Sequence, residues 1–369
     1  MAPTTQKALV IPAEKEPFKL VTDWPVPQPG PTDVLVKVVS AAINPVDAYV
    51  QAQGIPGLVP GYPTIPGFDG AGVVEEVGAE VTNVAKGDKV IVQGTFKLDN
   101  RNTTFQEYTV QPAKFVAKIP DNITFDQAAT ISLCLATVVN GIWGHEEDST
   151  SARFTPPWEE GGTTKYAGQA ALILGGGTNV GQFAIQCARM QGFYPIISTA
   201  SPQNSALLLS LGATHVLDRT LAPDALRAAL ASIVPATAAN PGPITYVYDA
   251  FGRGRDAQRL GYSVLAPGGA FVTVIPFDDS SLTDLVEESA RKGEGKRVAR
   301  ARAGYTVSGN GALGVEIFKR LTGWLESGAI VPSRLEVVPG GLSGVAEGCK
   351  RMLTWDVGAK LVVRIDETP

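Results

Sequence analysis

Between Ala171 and Gly192 the chain reads ALILGGGTNVGQFAIQCARMQG: an apolar run short enough for a buried strand, three consecutive glycines, then a stretch with helical spacing. This order constrains the fold more tightly than any composition value. Gly175, Gly176 and Gly177 permit a tight turn with exposed backbone, and Thr178, Asn179, Val180 and Gly181 lead into a helix whose first N–H groups are unpaired and favour an anion. The same rhythm then repeats as YPIIST and NSALLLSLGA, ITYVYDAFG and AQRLGYSVLAPGG, and finally AFVTVIP. Strand and helix alternating in this way imply βαβ units and a parallel sheet. In that context the turn is a site for a dinucleotide pyrophosphate, although Thr178 interrupts a strict G-x-G-x-x-G pattern.

From Lys7 to about Pro120 the texture differs: short β-branched runs (VLVKVVSAAI, GAGVVEEVG, GDKVIVQG) are separated by Gly/Pro turns, which suggests a small, partly closed β-rich domain. After a helical stretch ending near Gly328 the chain returns to strands, RLEVVP and AKLVVRI, so the tail is expected to rejoin that β domain. At 369 residues the chain is long enough for two cores. Two polar stretches, Glu146 to Gly168 and Asp278 to Arg302, read as surface excursions, and the basic run in the second reads as a solvated face.

Composition removes several function classes. A net charge of −5 gives no basic surplus for nucleic-acid phosphates, and the first ten residues hold one lysine and no long apolar core. No nucleic acid, no membrane and a cytoplasmic location are therefore expected. Only Cys134, Cys187 and Cys349 with His145 and His215 are available, which rules out a four-cysteine zinc lobe and leaves packing as the expected role of each cysteine.

NADP is preferred over NAD because YPIISTASPQNS, Tyr194 to Ser205, offers no acidic residue for a ribose 2′-hydroxyl. Ser201, Asn204 and Arg219 are the candidate donors to a 2′-phosphate. Arg219 is expected just beyond a short third strand, Thr214 to Leu217; the alternative is an exposed arginine paired loosely with Asp218 or Asp224.

INPVDAYVQAQG, PGFDGAGVVEEVG, GDKVIV, FQEYTV, the glycine turn, LGATHVLD, LAPGGAFV and GAKLVVRI occur in an order that resembles the medium-chain dehydrogenase/reductase superfamily, in its zinc-independent quinone oxidoreductase and enoyl reductase branch. The added length, with GGGTNVGQ, resembles the trans-acting enoyl reductases of polyketide synthases. The resemblance implies an α/β fold: a GroES-like β-rich catalytic domain, residues 1–132 and 310–369, interrupted by a Rossmann-type doubly wound domain, residues 133–309. It implies NADPH as cofactor and hydride transfer to the activated C=C of an α,β-unsaturated carbonyl or to a quinone. A synthase partner presenting a carrier-bound acyl chain is one alternative, and a non-catalytic NADPH-binding protein is another.

The resemblance also implies that no metal is held, because Asn44 and Phe68 stand where zinc members place a cysteine and a histidine. It directs Asn44 and Thr137, with Tyr49 and Tyr62, to the reacting carbons, and Phe251 and Lys360 to the cofactor. Without a Lewis acid, hydroxyl or amide donors must meet the charge that develops on the carbonyl oxygen. Local alternatives stay open: Asn44 as a turn residue, Asp47 as a helix cap, the two tyrosines as packing groups, and Thr137 bonded to its own helix. No His, Cys or paired carboxylate is placed for acid–base work, which leaves water or the cofactor ribose as proton source.

Overall fold

The computed structural model describes residues 2–95, 97–144, 150–235, 244–274, 280–305, 311–355 and 357–369. It divides into two compact units, Met1–Leu133 with Gly304–Pro369, and Cys134–Ala303. The domain boundary expected at 309/310 lies outside the described residues, as do His145, the start of the first polar stretch and the Asp278 end of the second.

In the first unit a seven-stranded sheet runs in the order Leu335–Val337, Lys360–Arg364, Asp33–Ala42, Asp69–Val77, Lys89–Gln93, Ala117–Lys118, with Tyr108–Pro112 paired to Asp33–Ala42. The C-terminal strand pairs antiparallel with Asp33–Ala42, so the tail does complete the N-terminal sheet. Two register shifts along Asp33–Ala42, at Leu35/Val36 and Val38/Ser40, re-aim its side chains. As a result Val34 and Val36, Leu35, and Val38 and Ala41 enter three different hydrophobic clusters. Within this register Asp69 lies opposite Ala42 on one side and Gln93 on the other.

Among the described residues the second unit holds six strands, all parallel, in the order His215–Asp218, Ile196–Ala200, Ala170–Leu174, Ile244–Asp249, Leu265–Val274, Arg297–Ala301. The chain winds one way from Ala170–Leu174 and then starts again on its other side at Ile244–Asp249. Such a reversal opens a crevice beyond the carboxyl ends of those two strands. Both faces of Ala170–Leu174 and Ile196–Ala200 are buried, as helices on the two sides of a parallel sheet require.

Three expectations are corrected. The third strand runs His215–Asp218, one residue later than Thr214 to Leu217, because Thr214 turns its hydroxyl back onto the Ile196 backbone. The basic stretch before Arg302 is not an excursion: it forms the helix Thr283–Arg291 and the sixth strand, Arg297–Ala301. Ala299 and Ala301 are buried there while Arg297 and Arg300 are exposed, as suits an edge strand. The described part of the stretch ending at Gly168 is packed too. The Phe154 ring lies 5.0 Å from Tyr166, 5.6 Å from Phe193 and 5.0 Å from Tyr246.

The segment Phe125–Trp143 has the length and hydropathy of a membrane span, but 78% of its apolar window is buried within the protein, as in a core helix.

Candidate functional site

In the parallel-sheet unit the site grows from the turn after Ala170–Leu174. Gly175 adopts φ +74°, a conformation that favours glycine, and the turn leads directly into the helix Asn179–Met190. Thr178 caps that helix: its Oγ1 accepts from Gly181 N at 3.0 Å and donates to Gly175 O at 2.9 Å. The residue that departs from the glycine pattern is therefore the one that closes the turn.

The glycines leave no room for side chains. A Cβ on Gly181 would lie 2.4 Å from Gly175 O, one on Gly176 1.9 Å from Ser198 Oγ, and one on Gly177 2.7 Å from Asn204 Nδ2. Asn204 reaches this turn from the strand end, and its Oδ1 is buried without a hydrogen-bond partner. Ser201 and Arg219 also meet, Arg219 Nε donating to Ser201 Oγ at 2.9 Å, while Thr220 engages Asp218.

Sequence reasoning passed over Asp249, which ends its strand buried. It accepts from Phe251 N (3.2 Å), Gly252 N (3.0 Å), Gln258 Nε2 (2.7 Å) and Thr273 Oγ1 (3.1 Å). This clamp fixes the loop that holds Phe251, a large apolar side chain 42% exposed whose Cβ is 3.2 Å from where a Gly175 Cβ would stand. Three close-packed glycines, a capped helix N-terminus, an unsatisfied amide oxygen and an exposed ring thus gather at the carboxyl ends of three adjacent strands. The donor set fits a dinucleotide pyrophosphate and its flanking rings. Thr137 lies on the helix Ser132–Trp143, 8% exposed, and its carbonyl accepts from Tyr248 Oη at 3.3 Å.

The β-rich unit holds a buried polar cluster. Asn44 caps the helix Pro45–Gln53, and Asp47 closes a capping box, accepting from Asn44 N at 2.8 Å and from Gly67 N at 3.0 Å. Asn44 Nδ2 donates to Asp69 Oδ2 at 2.9 Å and to Ala42 O at 3.4 Å, and Asn44 Oδ1 accepts from Lys360 Nζ. Lys360 Nζ also lies 2.9 Å from Asp69 Oδ2, both side chains being essentially inaccessible.

Two expectations change accordingly. Asn44 is a framework residue whose amide hydrogens are directed at Asp69 and Ala42. The Lys360 charge, expected at the cofactor, is met by Asp69 inside the β-rich unit, because a buried ammonium requires a buried counter-charge. Tyr49, on the same helix as Asp47, and Tyr62 are half-buried, and burial next to Glu14 raises the Tyr62 phenol above its ordinary value. A signal for Asp69 was present: a carboxylate opening the wholly apolar strand GAGVV must find a buried partner.

Burial lifts the Asp47 carboxyl to about 7, with the Asp69 charge adding to the rise against the lowering effect of its backbone donors and Lys360. The folded protein then keeps a proton that the unfolded chain releases near pH 4. The stability tied to this proton is present below about pH 4 and is lost as pH rises towards 7. Between pH 5 and 8 the wild type should therefore lose on the order of 2 kcal/mol more stability than Asp47→Asn. Denaturant titrations of both proteins at the two pH values measure this, and parallel pH profiles would mean Asp47 is ionised throughout.

All three cysteines are free and buried, and burial pushes the Cys187 and Cys349 thiols up, away from nucleophilic use. Among the described residues no three His, Cys, Asp or Glu side chains gather closely enough to hold an ion.

Comparison with known proteins agrees with this architecture. Residues 30–121 match the alcohol dehydrogenase GroES-like domain, and residues 179–281 the nucleotide-domain family described as zinc-binding dehydrogenase. A trans-enoyl reductase of Penicillium sp, grgB, is 31% identical over 98% of both chains. The trans-enoyl reductase tazE of Aspergillus terreus is 35% identical over 52% of this chain and 61% of its own length. An alcohol dehydrogenase superfamily protein from Novosphingobium aromaticivorans superposes with a TM-score of 0.75, at 22% identity, over 97% of this chain and 99% of its own. A β-rich unit completed by the chain's own tail, a doubly wound unit with a glycine cradle, and a full-length relative above 30% identity make this chain a member of the medium-chain dehydrogenase/reductase superfamily, an oxidoreductase family whose cofactor is a pyridine nucleotide.

Proposed function

We propose that the protein is a zinc-independent, NADPH-dependent reductase acting on the activated C=C of α,β-unsaturated carbonyl compounds or on quinones. The observation that carries this reading is the glycine cradle of Gly175 to Gly181 in a family member whose zinc-ligand positions hold an amide, Asn44, and a fully buried phenyl ring, Phe68. Bound NADPH supplies the hydride.

The chain's own residues bind and orient. The turn and the first N–H groups of Asn179–Met190 receive the pyrophosphate, and Ser201 with Arg219 receives the 2′-phosphate. Phe251, held by Asp249, offers an apolar surface at the same strand end. The Thr137 hydroxyl is the donor assigned to the oxygen on which charge develops, where one well-placed donor lowers the barrier by about 3–4 kcal/mol. Action in trans on a carrier-bound acyl chain is a second reading, favoured by the names of the relatives grgB and tazE.

NADPH oxidation followed against a panel of free enones, quinones and pantetheine-linked enoyl thioesters tests both. Turnover of free acceptors, unchanged after dialysis against a strong chelator, is the expected result. Turnover restricted to the thioesters selects the second reading. Tight NADPH binding with no oxidation across the panel would make this a nucleotide-binding protein without catalysis.

A further inference from the structure

Asp69 reaches three separate segments of the β-rich unit. Its Oδ1 accepts from Leu133 N at 2.6 Å, in the first turn of the helix Ser132–Trp143, and its Oδ2 accepts from Asn44 Nδ2 and from Lys360 Nζ, each at 2.9 Å. Lys360 comes from the last strand and is 1% exposed. A charge-assisted bond to a backbone N–H is about twice as strong as a neutral one, so it ties the start of that helix firmly to the Asp69 carboxylate. Thr137 follows Leu133 by four residues, about one helical turn, on the same continuous helix.

We propose that Asp69 and Lys360 are positioning residues for the reduction: their ion pair holds Asn44 and the start of the Ser132–Trp143 helix, and through that helix sets where the Thr137 hydroxyl stands. In this role the pair acts through Asn44 and the helix. This inference rests on the role given to Thr137 above.

The chemistry favours a positioning role over a purely stabilising one. A buried ion pair is poor value for stability, since two apolar or neutral groups of the same shape usually stabilise as well, whereas removing one partner leaves the other charge stranded. Asp69 in addition spends its second oxygen on a backbone donor of the helix that carries the candidate catalytic hydroxyl. An asparagine at 69 would keep an oxygen for Leu133 only as a neutral acceptor, with roughly half the strength of the charge-assisted bond, and would turn an NH₂ group towards the Asn44 amide and the Lys360 ammonium, donor against donor.

The test compares wild type with Asp69→Asn, Lys360→Met and the charge-free double variant. In the double variant the melting temperature should return to near the wild-type value and the Kd for NADPH should stay within about 2-fold, because the cradle lies in the other unit. Its kcat with the best enone should remain about 10-fold low, since misplacement of a reacting group by a fraction of an ångström suffices for such a loss. Hydrogen exchange in a peptide spanning residues 131–138 should be faster than in wild type.

A double variant with restored melting temperature, wild-type kcat and wild-type exchange would overturn the proposal. Should the double variant not fold, Lys360→Arg, which keeps the cation but moves it, supplies the same readouts. If the wild type itself reduces no acceptor, the reading of the reaction falls, and the exchange of residues 131–138 alone decides whether Asp69 and Lys360 hold the helix.

Discussion

Gly181→Ala should weaken nicotinamide nucleotide binding by about 10- to 100-fold. The added methyl would stand 2.4 Å from Gly175 O and 2.6 Å from Gly176 Cα, both backbone atoms that cannot rotate away. The helix Asn179–Met190 must then separate from the turn, which breaks the 3.0 Å bond from Gly181 N to Thr178 Oγ1 and scatters the N–H groups that converge on the pyrophosphate. Overpacking of this kind costs about 1–3 kcal/mol, and every 1.4 kcal/mol taken from binding is a factor of ten. Gly323→Ala is the matched control. That glycine lies in the helix Gly311–Glu326 with open space where its Cβ would be, so the change should leave nucleotide binding alone and add about 1 kcal/mol of stability. Titration of both variants with NADPH settles the matter; wild-type affinity in Gly181→Ala would move the nucleotide away from this turn.

Arg219→Ala should weaken NADPH by about 10- to 150-fold and leave NADH nearly untouched. Arg219 follows directly on the strand His215–Asp218, at the carboxyl end where ligands of a parallel sheet lie, and its Nε already meets Ser201 Oγ at 2.9 Å. The backbone holds it there, Arg219 N donating to Ala200 O at 3.0 Å. No acidic residue occurs from Tyr194 to Ser205 to repel a phosphate. A charged hydrogen bond to the 2′-phosphate is worth about 1.5–3 kcal/mol, and because the arginine is exposed the preference should shrink as salt rises. Dissociation constants for both cofactors in wild type and variant decide it. Equal losses for NADPH and NADH would mean that the guanidinium never meets the phosphate.

The legible parts of the fold were those whose signal is local. The run from Ala171 to Gly192 carries strand, turn and helix in one stretch, and the element starting at Asn179 follows from its own spacing and from Thr178 as cap. The tail's return to the first sheet could be read because AKLVVRI is an apolar, β-branched run like the strand it joins. What escaped was set by distance along the chain. Lys360 and Asp69 are 291 residues apart, and neither segment announces the other, so the lysine was directed to the cofactor with no sign of the carboxylate that meets it. Asp249 was passed over because its partners Gln258 and Thr273 lie on later elements. The strand Arg297–Ala301 was masked by its charge, since two arginines three residues apart fit no two-residue period and leave only Val298, Ala299 and Ala301 to signal a strand.

The packed stretch that precedes the first parallel strand bears on how far such a chain can be shortened. Phe154 and Tyr166 supply two of four rings whose centres lie 4.9–5.6 Å from their neighbours, the other two being Phe193 and Tyr246 of the wound unit itself. Trimming the chain there to a minimal length would strip Tyr246, now fully buried, and Phe193 of their cover and leave aromatic surface facing water. At about 3–5 kcal/mol for each large aromatic group lost from a core, such a deletion would consume a sizeable part of a domain's usual stability margin. The extra length is thus an integral wall of the nucleotide unit, and a compact version of this enzyme would need new apolar side chains on that side of the sheet before any residue there could be removed.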